Sequence, residues 1–341
     1  NQPGTGVVPV IPNYASLSYG AFAIQRFQRD AWLLEAGVRY DYKYLNADGY
    51  DMYSQRYGGE HNFHNFTYTL GGTMPLSRVS QLKSNIGVAW RAPQVNELYS
   101  SGLHHGAGTY DLGDDKLESE TGVKWVTSLL LNNENKRWNV NLDLYIQYIK
   151  NYIYDYPTGE VQTLFSGVYP IFQYTQANAF FRGADLDATV RLLNKNRVAQ
   201  VGNPTSLDYH LKASVVWANE LKTGRYFPFI PAPRLSQSLE YNKTHRNSLL
   251  SRMSASIGHT FVAKQTRFEP SQELVPTTPD AYHLFEASIG GTLDIGKRQT
   301  LDIRLSAENL FNTEYKEYTN RFRYYAHDLG RNVYLRVNYN F

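Results

Sequence analysis

The residue types best suited to ligand chemistry gather in one glycine-flanked stretch. Residues 100–115 hold His104, His105, Tyr110, Asp111, Asp114 and Asp115 among Gly102, Gly106, Gly108 and Gly113. Neutral imidazole ligates zinc, copper, nickel or haem iron, and tyrosine or carboxylate oxygens complete a harder site. Adjacent histidines on a loop can turn to one ion, whereas in a strand they point to opposite faces. The opposing reading is a pair of solvated histidines on a polar loop. His61 and His64 are further metal candidates, and His283 and His327 fall near the same end of the molecule in the topology developed below. Cysteine is absent, which removes thiolate metal sites, disulfides and a cysteine nucleophile. No G-x-S-x-G, P-loop, H-E-x-x-H or dinucleotide fingerprint occurs, so the expectation is a protein that is not an enzyme and carries no cofactor of its own.

The elements that position these residues are read from composition and period. Across 341 residues, 34 Lys+Arg against 31 Asp+Glu leave a net charge of +3, too small a field for a nucleic-acid partner. With 42% hydrophobic and 14% aromatic residues the chain is not a disordered one. No apolar run approaches the ~18 residues of a membrane-spanning helix, a test that β-barrels escape because alternation hides their apolar half. The 28 Tyr, with 16 Phe and 5 Trp, suit the aromatic girdles of such a barrel.

Period two dominates. Val333, Leu335, Val337, Tyr339 and Phe341 share one face of the last segment, opposed by Asn332, Tyr334, Arg336, Asn338 and Asn340. Leu301, Ile303, Leu305 and Ala307 oppose Asp302, Arg304, Ser306 and Glu308. Val140, Leu142, Leu144 and Ile146 oppose Asn141, Asp143, Tyr145 and Gln147, and Leu34, Ala36, Val38 and Tyr40 oppose Glu35, Arg39 and Asp41. One charged face on so many strands needs water on that side. A soluble sandwich also has a wet face, but its strands average ~5–6 residues, whereas these approach the ~9–11 of a tilted bilayer crossing.

Strands are expected at 14–27, 32–44, 62–75, 83–91, 118–131, 138–153, 170–193, 207–217, 234–242, 249–263, 282–293, 300–311 and 331–341. Short connectors (28–31, 132–137, 294–298) alternate with long ones (45–61, 92–117, 154–169, 218–233, 264–281, 312–330), the pattern of periplasmic turns and extracellular loops. The 194–206 connector is an exception that parity assigns to the periplasmic side. Thirteen strands is an odd number for a bacterial barrel. With Phe341 at the periplasmic end, Asn1 falls in an extracellular loop, so residues 1–341 are expected to be the C-terminal part of a larger transmembrane antiparallel barrel.

Ordered motifs sharpen this. Trp90-Arg91-Ala92-Pro93 with Glu97-Leu98-Tyr99 resembles the aromatic-Arg-Ala-Pro box, and its sequel, of TonB-dependent outer-membrane receptors. The stretch 113–120 resembles that family's Gly-Asn-Pro-Asn-Leu-x-x-Glu box, with Asp114-Asp115 replacing Asn-Pro. Glu308-Asn309-Leu310-Phe311-Asn312, Tyr315, Gly330-Arg331-Asn332 and terminal Phe341 resemble its closing signature. Segments 172–193, with Arg182-Gly183-Ala184-Asp185, and 228–234 resemble a long strand and a proline-rich loop of the same group.

The resemblance implies a 22-stranded barrel with a plug in its lumen, located in the bacterial outer membrane and energised by TonB. The plug and first strands are absent from residues 1–341, so TonB would be met through the missing N-terminal part, whether that is a separate chain or continuous with this one. Expected partners are outer-membrane lipid, the rest of the barrel and plug, and the barrel assembly machinery through Phe341. The implied function is uptake of a metal ion or metal complex: haem, a siderophore, zinc or copper. A passive porin, a surface-binding barrel, or a receptor for cobalamin, peptide or glycan are the alternatives. Within the family, a histidine between the first two boxes is associated with haem receptors, and a Leu-His-His-Gly-like stretch with zinc-type receptors. Glu35, Arg39, Asp41, Asp143, Asp302, Arg304, Glu308 and Arg336 are expected to face the lumen, where they hydrate it or hold the plug. Arg91 is expected to fix loop geometry. Tyr315, Tyr318, Tyr324 and Tyr325 read as girdle or loop-packing residues.

Overall fold

The computed structural model describes residues 10–51, 54–133, 137–195, 204–245, 248–296 and 299–341. Thirteen strands form one continuous antiparallel path. Its first half is β1 (Asn13–Arg29), β2 (Trp32–Tyr50), β3 (Arg56–Pro75), β4 (Ser80–Arg91), β7 (Glu120–Asn132), β8 (Trp138–Leu164) and β9 (Gly167–Lys195). Its second half is β10 (Thr205–Glu220), β11 (Arg234–Thr244), β12 (Leu250–Val262), β13 (Tyr282–Asp294), β14 (Thr300–Glu308) and β15 (Asn332–Asn340). Two short strands, β5 (Ser101–His104) and β6 (Thr109–Leu112), form a hairpin off this path, and β6 runs parallel to β9. Each expected strand is present, making this an all-β barrel wall. Among the described residues, β1 and β15 end the path without pairing to each other.

Register carries the alternation from strand to strand. Val333, Leu335 and Val337 stand opposite Ala307, Leu305 and Ile303, and these stand opposite Ala287, Ile289 and Gly291. The apolar face therefore forms one continuous outer surface. Val38, Leu305 and Leu335 on it remain 60%, 47% and 64% exposed, because a wall one sheet thick has no second layer to cover them. The opposite face is polar. Arg39 Nε lies 2.8 Å from Asp41, Arg26 pairs with Glu35, Asn141 donates to Asp143 at 2.8 Å, and Arg304 donates to Ser288 and Ser254 at 3.1 and 3.2 Å. No helix among the described residues is long and apolar enough to cross a membrane, which says nothing of crossing by strands.

Two expected connectors are largely strand. β2 and β3 stay paired up to Tyr50 opposite Arg56, and β8 and β9 up to Leu164 opposite Gly167. The segments 45–61 and 154–169 lost their alternation because, above the membrane, neither face is held to one solvent, while the backbone ladder continues regardless. The 92–117 connector contains a five-residue helix, α1 (Val95–Tyr99), and the β5–β6 hairpin. Of the 194–206 connector, residues 196–203 lie outside the described residues, as do 1–9, 134–136 and 297–298, and with them Asn1 and parts of the short connectors 132–137 and 294–298.

The closest-packed regions sit under the loops. Leu45 and Ala47 of β2, Val95, Leu98 and Tyr99 of α1, Leu117 and Ile153 form one buried cluster. Ala179, Ala218, Phe227 and Ile230 form a second, edged by Tyr152, Tyr154 and Phe181. A barrel wall buries little of itself, so the extracellular loops acquire the core.

Candidate functional site at the extracellular mouth

The loop 92–119 is built on Arg91. Its guanidinium donates to both Glu97 oxygens at 2.8 and 2.6 Å and to Glu120 at 2.9 Å. Glu97 also accepts from Gln94 N at 2.7 Å, capping α1, and Glu120 accepts from Ile153 N at 2.6 Å. One arginine thus ties the helix to β7 and, through Glu120, to β8. Trp90 Nε1 reaches Asp41 at 3.2 Å, and Ala92 and Pro93 are buried at the base.

From that base the chain crosses to β9. Tyr110, Asp111 and Leu112 lie alongside Ile171, Phe172 and Gln173. Asp111 is buried, with its carboxylate held on both sides: Thr109 Oγ1 donates to Oδ1 at 2.6 Å, and His104 Nδ1 lies 3.0 Å from Oδ2. The His104 side chain is 53% exposed, against 5% for Asp111. The ring is therefore anchored at Nδ1, while Nε2 lies beside Gly106 with no hydrogen bond among the described residues, the arrangement by which a carboxylate orients a ligating imidazole. His105 is exposed in the following turn, where His104 O accepts from Ala107 N and Gly108 N at 3.0 and 2.9 Å. Gly108 closes that turn at φ +66°, a conformation that favours glycine. Tyr110 is buried, and its neighbour in the strand, Asp111, takes the face that meets His104.

The other two histidine candidates do not join this pair. His61 Nε2 lies 2.6 Å from the Tyr99 hydroxyl, with the ring stacked on Phe63. It stands on the part of β3 that rises to loop level, where burial lowers its pKa, opposed by Asp115. Burial also raises Tyr99, so a protonated phenol shares the hydrogen bond with His61 Nε2. His64, three residues on, belongs to the opposite face, where it meets the Tyr40 hydroxyl at 2.8 Å and packs against Tyr42 in the outer aromatic girdle. Strand parity therefore puts His61 and His64 on opposite faces of β3. His283 is likewise on the outer face, 2.9 Å from His259. Among the described residues no group of three His, Asp or Glu side chains is gathered to hold a metal ion.

The loop 309–331 crosses from the far side to meet the hairpin. Tyr325 donates to Gly108 O at 3.0 Å, and Arg321 pairs with Asp155 of β8 while lying 5.3 Å from the Phe172 and Phe229 ring centroids. Burial raises the Asp155 pKa, opposed by Arg321. Burial, with Asp155 and Asp111 adding to it, pushes Tyr174 up to about 12. Deeper in the same loop, Arg323 pairs with Glu273 in a cage closed by the hydroxyls of Tyr318 and Tyr324. Tyr315 packs against Tyr282 with the rings tilted and their centroids 4.7 Å apart, so these tyrosines pack the loop. The loop's ends are clasped. Asn309 Nδ2 and Oδ1 bond Thr313 O and Thr313 N at 2.8 Å, Leu310 N donates to Phe285 O at 2.7 Å, Phe311 meets the edge of Phe285, and Asn312 Oδ1 accepts from Arg331 N at 2.9 Å. A Cβ on Gly330 would lie 2.7 Å from that same oxygen. Phe341 is 93% exposed at the other end of the wall.

Arg321, Asp155, Phe229 and the Arg323–Glu273 pair were not anticipated from sequence. Their partners lie on separate loops, and no local pattern announces them.

Comparison with known proteins agrees with this architecture. Residues 2–310 match the family model described as TonB dependent receptor-like, beta-barrel. The chain belongs to the TonB-dependent receptor β-barrel family, a family of outer-membrane transport receptors. Among solved structures it is similar to the copper transporter OprC (TM-score 0.69, 18% identity, covering 95% of this chain and 48% of that one). It is also similar to the FrpB iron transporter from Neisseria meningitidis, F3-3 variant (0.64, 14%, 96% and 46%). A third is the ferric yersiniabactin uptake receptor FyuA from Yersinia pestis (0.60, 13%, 95% and 44%). The chain spans about half the length of each.

Proposed function

We propose that this chain is the C-terminal barrel portion of an active-transport receptor that captures a metal complex, or a metal ion, at its extracellular mouth. The observation that carries this reading is His104: Nδ1 fixed by a buried carboxylate, Nε2 free, on a hairpin at the mouth. Such a ring gives one good donor to a metal that brings its other ligands with it, and His105 on the same turn offers a second. This favours haem or a chelated metal over a bare ion. The relatives named for copper, iron and a ferric siderophore support the same class of cargo. Energy would come from TonB acting on a plug, both outside residues 1–341, and the polar lumen wall would provide the path inward.

The test uses the complete receptor isolated from outer membranes. Metal content by mass spectrometry and absorbance in the haem Soret region are compared for wild type and His104→Ala/His105→Ala. Bound metal or haem lost in the variant supports the mouth as the ligand site. Cargo retained unchanged in the variant would overturn it.

A further inference from the structure

The outer surface of the wall, which plays no part in capture, carries a groove. A cavity of about 400 Å³ opens there, lined by Leu142, Ala184, Ala213, Val215, Leu235 and Phe261. All six belong to the outward set that the register defines: Leu142 faces Leu186, Ala184 faces Val215, Ala213 faces Leu235, and Leu235 faces Phe261. Ala184 and Ala213, beside Val215, leave space between the larger Leu142, Leu186, Leu235 and Phe261, and this makes the furrow.

The furrow ends at a cationic rim. On β9 and β10, directly above Ala184 and Val215, Arg182 stands opposite Trp217. The Arg267 guanidinium, from the loop after β12, lies 4.8 Å from the centre of the same indole ring. Neither arginine is ion-paired among the described residues, whereas the nearby Lys264 is neutralised by Asp280 at 2.7 Å. The height is right for a headgroup. Arg182 lies eight residues along β9 from Val190, which pairs with Trp138 at the start of β8. Eight residues at ~3.3 Å and a tilt near 40° rise about 20 Å through an apolar band ~25 Å tall. An arginine stem carries its charge the remaining distance to the interface.

An apolar furrow facing lipid, closed at headgroup level by two unpaired guanidiniums on an indole, matches one occupant by shape and charge. We propose that it is a specific binding site for an outer-leaflet lipid with a phosphate-bearing headgroup. One acyl chain lies along Ala184, Ala213 and Val215, and the phosphate is held between Arg182 and Arg267. Arginine forks suit phosphate oxygens, and the membrane supplies such lipids along the whole wall. The site tethers the loop 263–281, through Arg267, to the membrane surface.

The experiment is native mass spectrometry of the complete receptor in detergent, incubated with an equimolar mixture of dioleoyl phosphatidic acid and dioleoylglycerol, which differ only in the phosphate. Wild type is expected to retain the phosphatidic acid by roughly tenfold or more over the diacylglycerol. Arg182→Gln/Arg267→Gln removes that preference. Ala213→Phe, which fills the furrow from the lipid side without touching the lumen, lowers retention of the phosphatidic acid. Heat-dependent gel migration shows that each variant is folded. Equal retention of the two lipids by wild type overturns the site, as does retention of phosphatidic acid unchanged in either folded variant.

Discussion

Arg321 pairs with Asp155 across the mouth of the barrel, joining residues 166 positions apart. Asp155 stands on the tall β8–β9 hairpin, and Arg321 on the loop that precedes the last strand. Their side chains are only 11% and 24% exposed, and Phe172 and Phe229 flank the guanidinium. With Tyr325 bonded to Gly108, this pair joins the loop 309–331 to both the hairpin of the 92–119 loop and the wall behind it. The mouth is therefore held by contacts between loops.

Removing Arg321 tests that arrangement. Arg321→Gln leaves Asp155 buried without its cation, a loss of about 3–5 kcal/mol for a buried pair. The loss is local, because the strand ladders are untouched. Hydrogen exchange in 309–331 and around Asp155 should accelerate strongly while exchange in β10–β14 is unchanged. Equal exchange of 309–331 in wild type and variant would show that the pair holds nothing.

Arg91 should behave differently. It serves two carboxylates, and each of these holds a backbone N–H of its own. Arg91→Gln leaves Glu97 and Glu120 facing each other without a cation, which costs on the order of 3–5 kcal/mol and releases α1 from β7. Limited proteolysis should cut 92–119 at least tenfold faster in the variant. Arg91→Lys should recover only part of the loss, since one ammonium does not reproduce the fork.

His61 makes the same loop sensitive to acid. Burial lowers its pKa below the ordinary 6.5, so the folded protein binds fewer protons at this site than the unfolded chain. The stabilising contribution is complete above pH 6.5 and is lost as pH falls through the depressed folded value. Protonation makes both ring nitrogens donors, so the Tyr99 hydroxyl can then only accept at Nε2, beside a partly buried charge. Exchange of the Val95–Tyr99 helix should therefore rise between pH 7.5 and 5, and His61→Gln should flatten that dependence.

What the sequence revealed follows from which constraints act locally. Lipid on one side and water on the other impose period two on each crossing, so all thirteen wall strands were legible. Above the membrane that constraint stops while pairing does not, and segments such as 45–61 read as loops. The error propagated to the site. With β3 taken to begin at residue 62, His61 read as the end of a loop and His64 as a strand residue, whereas both stand on β3 and, three residues apart, face opposite sides. The boxes around Arg91 and Asn309 were legible because each is a self-contained clasp. Arg321–Asp155 and Arg323–Glu273 were not, since each joins two loops that meet only after the sheet has formed.

Asp111 offers the sharpest test of the mouth. Its buried carboxylate fixes the His104 ring at Nδ1 and leaves Nε2 without a hydrogen bond among the described residues. If His104 is the donor to cargo, Asp111→Asn should weaken binding about 10- to 100-fold, the usual effect of removing the group that orients a metal-bound imidazole. Asn keeps the size and one acceptor, so Thr109 can still bond it and the hairpin should stay folded. The signature is a change in affinity with hydrogen exchange of β5 and β6 unaltered. If affinity and exchange change together, Asp111 is holding the hairpin, and the donor must be sought elsewhere on the mouth.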